Sequence, residues 1–86
     1  MASGGRKFGK SVHSAAQTAF CNLMIEARKS AGLTQHDLAA RLSRPQSFVA
    51  KYDGGERRID VVEFIAICRA ISVDSTALLR KLAKLG

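Results

Sequence analysis

Within a short predicted helix, Gln46, Ser47, Ala50 and Lys51 fall on one side. That side is polar, short and free of any large acid, so it can lie against the edges of DNA bases. A glutamine amide can pair bidentately with adenine N6 and N7, and a lysine can reach guanine O6 and N7 or a phosphate. A serine hydroxyl can bond either. Gln46, Ser47 and Lys51 are therefore candidate base contacts. Plainer roles stand beside each. Gln46 can bond back toward Ser43 as a cap, Ser47 can be an ordinary first-turn residue, and Lys51 can be merely solvated.

A second set has the chemistry of phosphate binding. Gln35 opens the preceding helix, where exposed backbone N–H groups and the positive end of the helix dipole attract anions. Arg57 and Arg58 follow the polar helix on a loop, and Arg44 lies in the turn before it. Such cations suit flanking phosphates, which fix register without reading sequence. One of the loop arginines can instead pair with Glu56 or Asp60. Phe48 falls between the apolar and polar sides, and packing against a neighbouring helix suits it better than contact with thymine methyls.

The whole chain supports a polyanionic partner. Fourteen lysines and arginines against seven acids give a formal charge of +7 over 86 residues. With 47% hydrophobic residues it folds, as one small domain. Cys21 and Cys68 are far apart and in apolar surroundings, which predicts buried thiols rather than a disulfide or a metal site. His13 and His36 have no ligand-spaced neighbours. No Cys/His pair, nucleophile elbow or phosphate-cradling glycine loop stands in the sequence, so catalysis and cofactors find no support. No apolar run approaches the roughly 18–20 residues of a membrane span, and no secretory leader is evident, which predicts a cytoplasmic protein.

Five helices must position these residues. Residues 1–12 read as a flexible basic arm, and residues 13–86 as the folded domain. Ser14 with Gln17 has capping-box spacing and starts a helix to about residue 31, with Ala16, Phe20, Leu23, Met24 and Ala27 as its apolar stripe. Gly32 is its left-handed stop, and Arg28 and Lys29 complement its dipole. Thr34 caps the second helix, with Asp37 in its first turn and Leu38, Ala39 and Leu42 facing inward. Residues 43–45 form a turn, with Pro45 in the first turn of the third helix. Val49 and Tyr52 are that helix's core residues, and Gly54-Gly55 stops it. Asp60 and Glu63 start a fourth helix with Val61, Phe64, Ile65, Cys68 and Ile71 buried. Asp74 caps a fifth, whose Leu78, Leu79, Leu82 and Leu85 outnumber what one core face needs.

Residues 32–64 resemble the phage-repressor/Cro-type (XRE) helix-turn-helix family of bacterial transcription regulators. The resemblance rests on Gly32-Leu33-Thr34-Gln35, Leu38-Ala39, Leu42, Pro45-Gln46-Ser47, Val49, Tyr52-Asp53, Gly55 and Arg57-Arg58, and extends over about residues 15–80. It implies an all-α, compact five-helix bundle of the lambda-repressor-like type, with the helix-turn-helix at about residues 34–53. It further implies that the third helix enters the major groove of double-stranded DNA. Gln46, Ser47 and Lys51 match the family's base-reading positions, and Gln35 a residue that contacts phosphate and buttresses the recognition helix. Ser43 stands where the family usually has glycine, and if left-handed it carries a strain of roughly 1–2 kcal/mol. The implied activity is sequence-specific regulation, chiefly repression, by a homodimer on a near-palindromic operator. The alternative is an antitoxin that uses the same fold for DNA and for a toxin partner.

Overall fold

The computed structural model describes residues 14–85. The expected N-terminal arm, residues 1–12, therefore lies outside the described residues. The chain forms α1 (Ala15–Ser30), α2 (Gln35–Leu42), α3 (Gln46–Asp53), α4 (Val61–Ala70) and α5 (Ser75–Leu85), with no strand among the described residues.

Local chemistry sets the boundaries. The Ser14 hydroxyl accepts from the Gln17 N–H (3.1 Å) and caps α1. The helix ends at Gly32, whose φ of 78° is the left-handed value that favours glycine. Thr34 and Asp37 form a complete capping box: the Thr34 hydroxyl accepts from the Asp37 N–H, and the Asp37 carboxylate accepts from the Thr34 N–H, both at 3.0 Å. Asp60 and Glu63 form a second at the head of α4. Ser43 is left-handed (φ 55°, ψ 43°), and its N–H and that of Arg44 close α2 on the Ala40 and Ala39 carbonyls. Pro45 is extended (ψ 152°) and is the N-cap of α3, one residue before the expected first turn. A second left-handed serine, Ser72 (φ 59°), closes α4.

The core is Met24, Leu38, Ala39, Phe48, Val49, Tyr52, Phe64, Ile67, Cys68, Ile71 and Leu78. α2 packs on α3 and α4, while α1 packs on α3 and α5. Phe20 meets Phe64 with ring centroids 6.0 Å apart. Both thiols are buried and unpaired, as the sequence predicts.

Two faces differ in part from expectation. In α1 the buried side runs through Cys21, Met24 and Arg28, and Ala16 is exposed, because α3 covers the flank that carries Cys21 and Arg28. In α4 the expected Phe64 and Cys68, and Ile71 after it, are buried, but Ile67 is buried with them, whereas Val61 and Ile65 are exposed. That helix is apolar nearly all round, so periodicity did not separate Ile67 from Val61 and Ile65. α5 carries more leucines than one core face takes, as expected: Leu78 is buried, while Leu79 and Leu85 are 50% and 61% exposed. No helix among the described residues is long and apolar enough to cross a membrane.

Candidate nucleic-acid interface

α3 turns Phe48, Val49 and Tyr52 into the core. Gln46, Ser47 and Lys51 are consequently exposed together on its outer side, with Ala50 half-buried beside them. A helix of eight residues held by so few core contacts needs further fixing, and two polar clusters supply it.

The first lies behind the start of α2 and the end of α3. Arg28 of α1 and Asp53 of α3 form a buried ion pair, 2.9 Å long, with side chains 8% and 7% exposed. The Arg28 guanidinium also donates to the Leu33 carbonyl at 2.9 Å. Gln35 Nε2 donates to the same Asp53 oxygen at 2.9 Å, and Gln35 Oε1 accepts from Gln46 Nε2 at 2.9 Å. A continuous chain therefore runs from α1 through Asp53 and Gln35 to the exposed amide of Gln46. It fixes which way that amide points, because Gln35 can accept only from the Gln46 NH2 group once its own NH2 is committed to Asp53. Gln46 thus bonds to Gln35, not back toward Ser43. Lys29, Thr34, Gln35, His36 and Gln46 line a shallow hollow in front of this chain, at the positive end of α2.

The second cluster lies on the other flank. Glu63 Oε1 accepts from Arg57 Nη1 (3.1 Å) and from the Asp60 N–H (3.0 Å). Its Oε2 accepts from Arg57 Nη2 (3.0 Å) and from Arg44 Nη2 (3.3 Å). Both guanidinium carbons sit over the Phe48 ring, 4.4 Å (Arg44) and 4.8 Å (Arg57) from its centroid. Phe48 stands edge-on to Tyr52, with centroids 5.4 Å apart. The Arg57 hydrogen bonds, then the Asp60 N–H, lower the Glu63 pKa to about 2. Glu63 in turn raises that of Arg57.

The candidate phosphate residues thus sit in different settings. Gln35 is half-buried in the first cluster, Arg44 and Arg57 belong to the second, and Arg58 is exposed on the loop. The acidic partner of Arg57 is Glu63, not Glu56 or Asp60. Four residues beyond the expected set shape the site: Arg28, Asp53, Phe48 and Glu63. Arg28 and Glu63 were visible in the sequence only in their local roles at a helix end and a cap. Nothing in a sequence spacing links positions 28 and 53, or 44, 57 and 63. No group of three potential metal ligands occurs among the described residues.

No protein-family model matches the sequence, and no curated protein does. Solved structures do. An XRE-family like protein from Pseudomonas syringae pv. tomato str. DC3000 is 51% identical, with 92% of this chain and 96% of that chain covered and a TM-score of 0.81. The restriction-modification controller protein C.AhdI from Aeromonas hydrophila is 25% identical over 74% of this chain and 97% of its own, with a TM-score of 0.68. The controller protein C.Esp1396I, solved as a tetramer with its natural 35 base-pair operator, is 18% identical over 85% of this chain and 96% of its own, with a TM-score of 0.75. That last likeness shows the shared fold alone. The identity to the Pseudomonas syringae protein over nearly the whole length, with the helix-turn-helix at residues 34–53, establishes that this chain belongs to the XRE family, the Cro/C1-type helix-turn-helix regulators that bind DNA.

Proposed function

We propose that this protein represses transcription by binding a near-palindromic operator as a homodimer, with α3 of each subunit in the major groove. The observation that carries this reading is the exposed row Gln46, Ser47 and Lys51, backed by a hydrogen-bonded chain that orients the Gln46 amide. In this reading those three residues touch base edges. Gln35, Arg44, Arg57 and Arg58 touch phosphates, which supply affinity and register. The operator-bound tetramer of C.Esp1396I is a precedent for the fold on DNA.

Two subunits would set their recognition helices about 34 Å apart, one turn of duplex. Joining two small footprints multiplies affinity. Exposed Leu79 and Leu85 favour α5 as the self-association surface. Sedimentation over a range of concentrations tests this directly, and a monomer at all of them overturns the dimer.

Selection of bound sequences from random duplex DNA, at two salt concentrations, tests the whole reading. The expected outcome is a near-palindromic consensus and a steep fall of affinity with salt. Gln46→Ala should then lose about 1–3 kcal/mol of discrimination at one position of each half-site. An unchanged consensus with both Gln46→Ala and Lys51→Ala would remove α3 from the recognition role.

A further inference from the structure

We propose that Glu63 is a specificity-determining positioning residue, which holds Arg44 and Arg57 against Phe48 and so suppresses their use on arbitrary phosphates. The inference rests on the DNA-binding reading above and deepens it.

Two arginines from separate loops flank the recognition helix, and both are tied to one carboxylate on α4. Their charges of +2 are reduced to +1 by Glu63. Their side chains are 44% and 39% exposed, against 14% for Glu63, so the cations face solvent and the anion lies behind them. The Phe48 ring, 7% exposed, supplies the floor on which both guanidiniums rest. Of the five N–H groups of a guanidinium, Arg44 gives one to Glu63, while Arg57 gives one from each terminal nitrogen to Glu63 and a third, from Nη1, to the Arg58 carbonyl (2.9 Å). The rest remain to meet a phosphate without leaving the carboxylate, but only from the directions this clasp allows. A phosphate presented in that geometry gains two pre-aimed donors. A phosphate anywhere else must either break the Glu63 bonds or accept a partly neutralised partner. Affinity for duplex in general is lowered while affinity in the docked register is kept.

Glu63→Gln tests this. The amide oxygen can still accept the Asp60 N–H, so the cap survives, while the charge that restrains the arginines is lost. Binding to a mixed-sequence duplex is measured against salt, alongside the sequence recovered by selection. Release of one or both arginines should steepen the logarithmic salt slope by roughly 0.9 for each. Between ~50 and ~200 mM salt the loss of affinity should widen by about 3- to 12-fold on that slope. Preference for the selected sequence over the mixed one should fall. In an Arg44→Gln/Arg57→Gln background, Glu63→Gln should leave the slope unchanged.

A purely structural Glu63 would lower melting temperature and affinity without steepening the slope, and that result overturns the proposal. So does equal steepening in the arginine-free background, which would mark a general charge effect. A wild-type protein with no salt-dependent duplex binding overturns the DNA reading and this inference together. An unchanged slope in Glu63→Gln beside a wild type that binds overturns this inference alone. Should Glu63→Gln lose its helical signal, Phe48→Leu removes the ring floor at no change of charge and is expected to steepen the slope in the same direction. An unaltered slope there counts against the proposal equally.

Discussion

The recognition helix is held by two ionic clusters of opposite character. Behind its start and end, Arg28 and Asp53 are buried with side chains 8% and 7% exposed, and the polar chain through Gln35 reaches the surface only at Gln46. On its other flank, Arg44 and Arg57 lie partly in solvent and share Glu63. The same chemistry, arginine to carboxylate, serves different ends. A buried pair has no alternative partner, so losing either member strands a charge. An exposed pair exchanges partners with water, ions or a phosphate at small cost. One cluster is suited to fixing an angle, the other to meeting a ligand.

The largest effect expected from this contrast is on stability. Arg28→Met should cost about 3–5 kcal/mol in chemical denaturation, because Asp53 is left buried and uncompensated. Adding Asp53→Leu should recover much of that loss, since removing both charges leaves nothing stranded. If the single and the double variants are equally damaged, the pair is not the source. A loss in Arg28→Met no greater than that in Glu63→Gln would erase the contrast itself.

Acid should act on the exposed cluster next. Glu63 ionises far below its ordinary value of 4.5, at about 2, because Arg57 and the Asp60 N–H bond the carboxylate. A carboxylate with a depressed folded pKa contributes stability that is complete above its unfolded value and disappears as pH falls toward the folded one. Urea midpoints of the wild type should therefore drop between pH 4.5 and about 2, and Glu63→Gln should flatten that part of the profile. Equal slopes for both proteins would show that the Glu63 bonds do not persist in solution.

The smallest expected effect lies in the turn between the clusters. Ser43 holds φ at 55°, where a side chain costs roughly 1–2 kcal/mol that glycine does not pay. Glycine gives back part of this through a more disordered unfolded chain, by about 0.4–1 kcal/mol. Ser43→Gly should thus raise thermal stability modestly. A loss would mean that the serine side chain compensates its own strain.

How much of this was legible in the sequence follows from range. The Thr34 and Asp60 capping boxes and the Gly32 stop are decided within four residues of chain, by backbone N–H groups that need a partner and by φ values that only some residues tolerate. They were readable directly. So was the outward side of α3, because Val49 and Tyr52 at a spacing of three leave Gln46, Ser47 and Lys51 opposite. On α4 the reading held for Phe64, Cys68 and Ile71 but not for Val61, Ile65 and Ile67. A helix with apolar residues on several faces offers no preferred side until neighbours cover one, and here Ile67 was covered while Val61, Ile65 and Leu79 were left out.

By itself, then, the sequence determined the five helices, their ends and the polar row on the third, since each depends on bonds within a turn or on a local apolar period. Tertiary structure alone decided that Arg28 would be buried against Asp53 and that Glu63 would gather Arg44 and Arg57 over Phe48. Those partners are separated by 6 to 25 residues and come from different elements, so only the packing of α1 on α3, and of α4 beside the turn, brings the charges within hydrogen-bond distance.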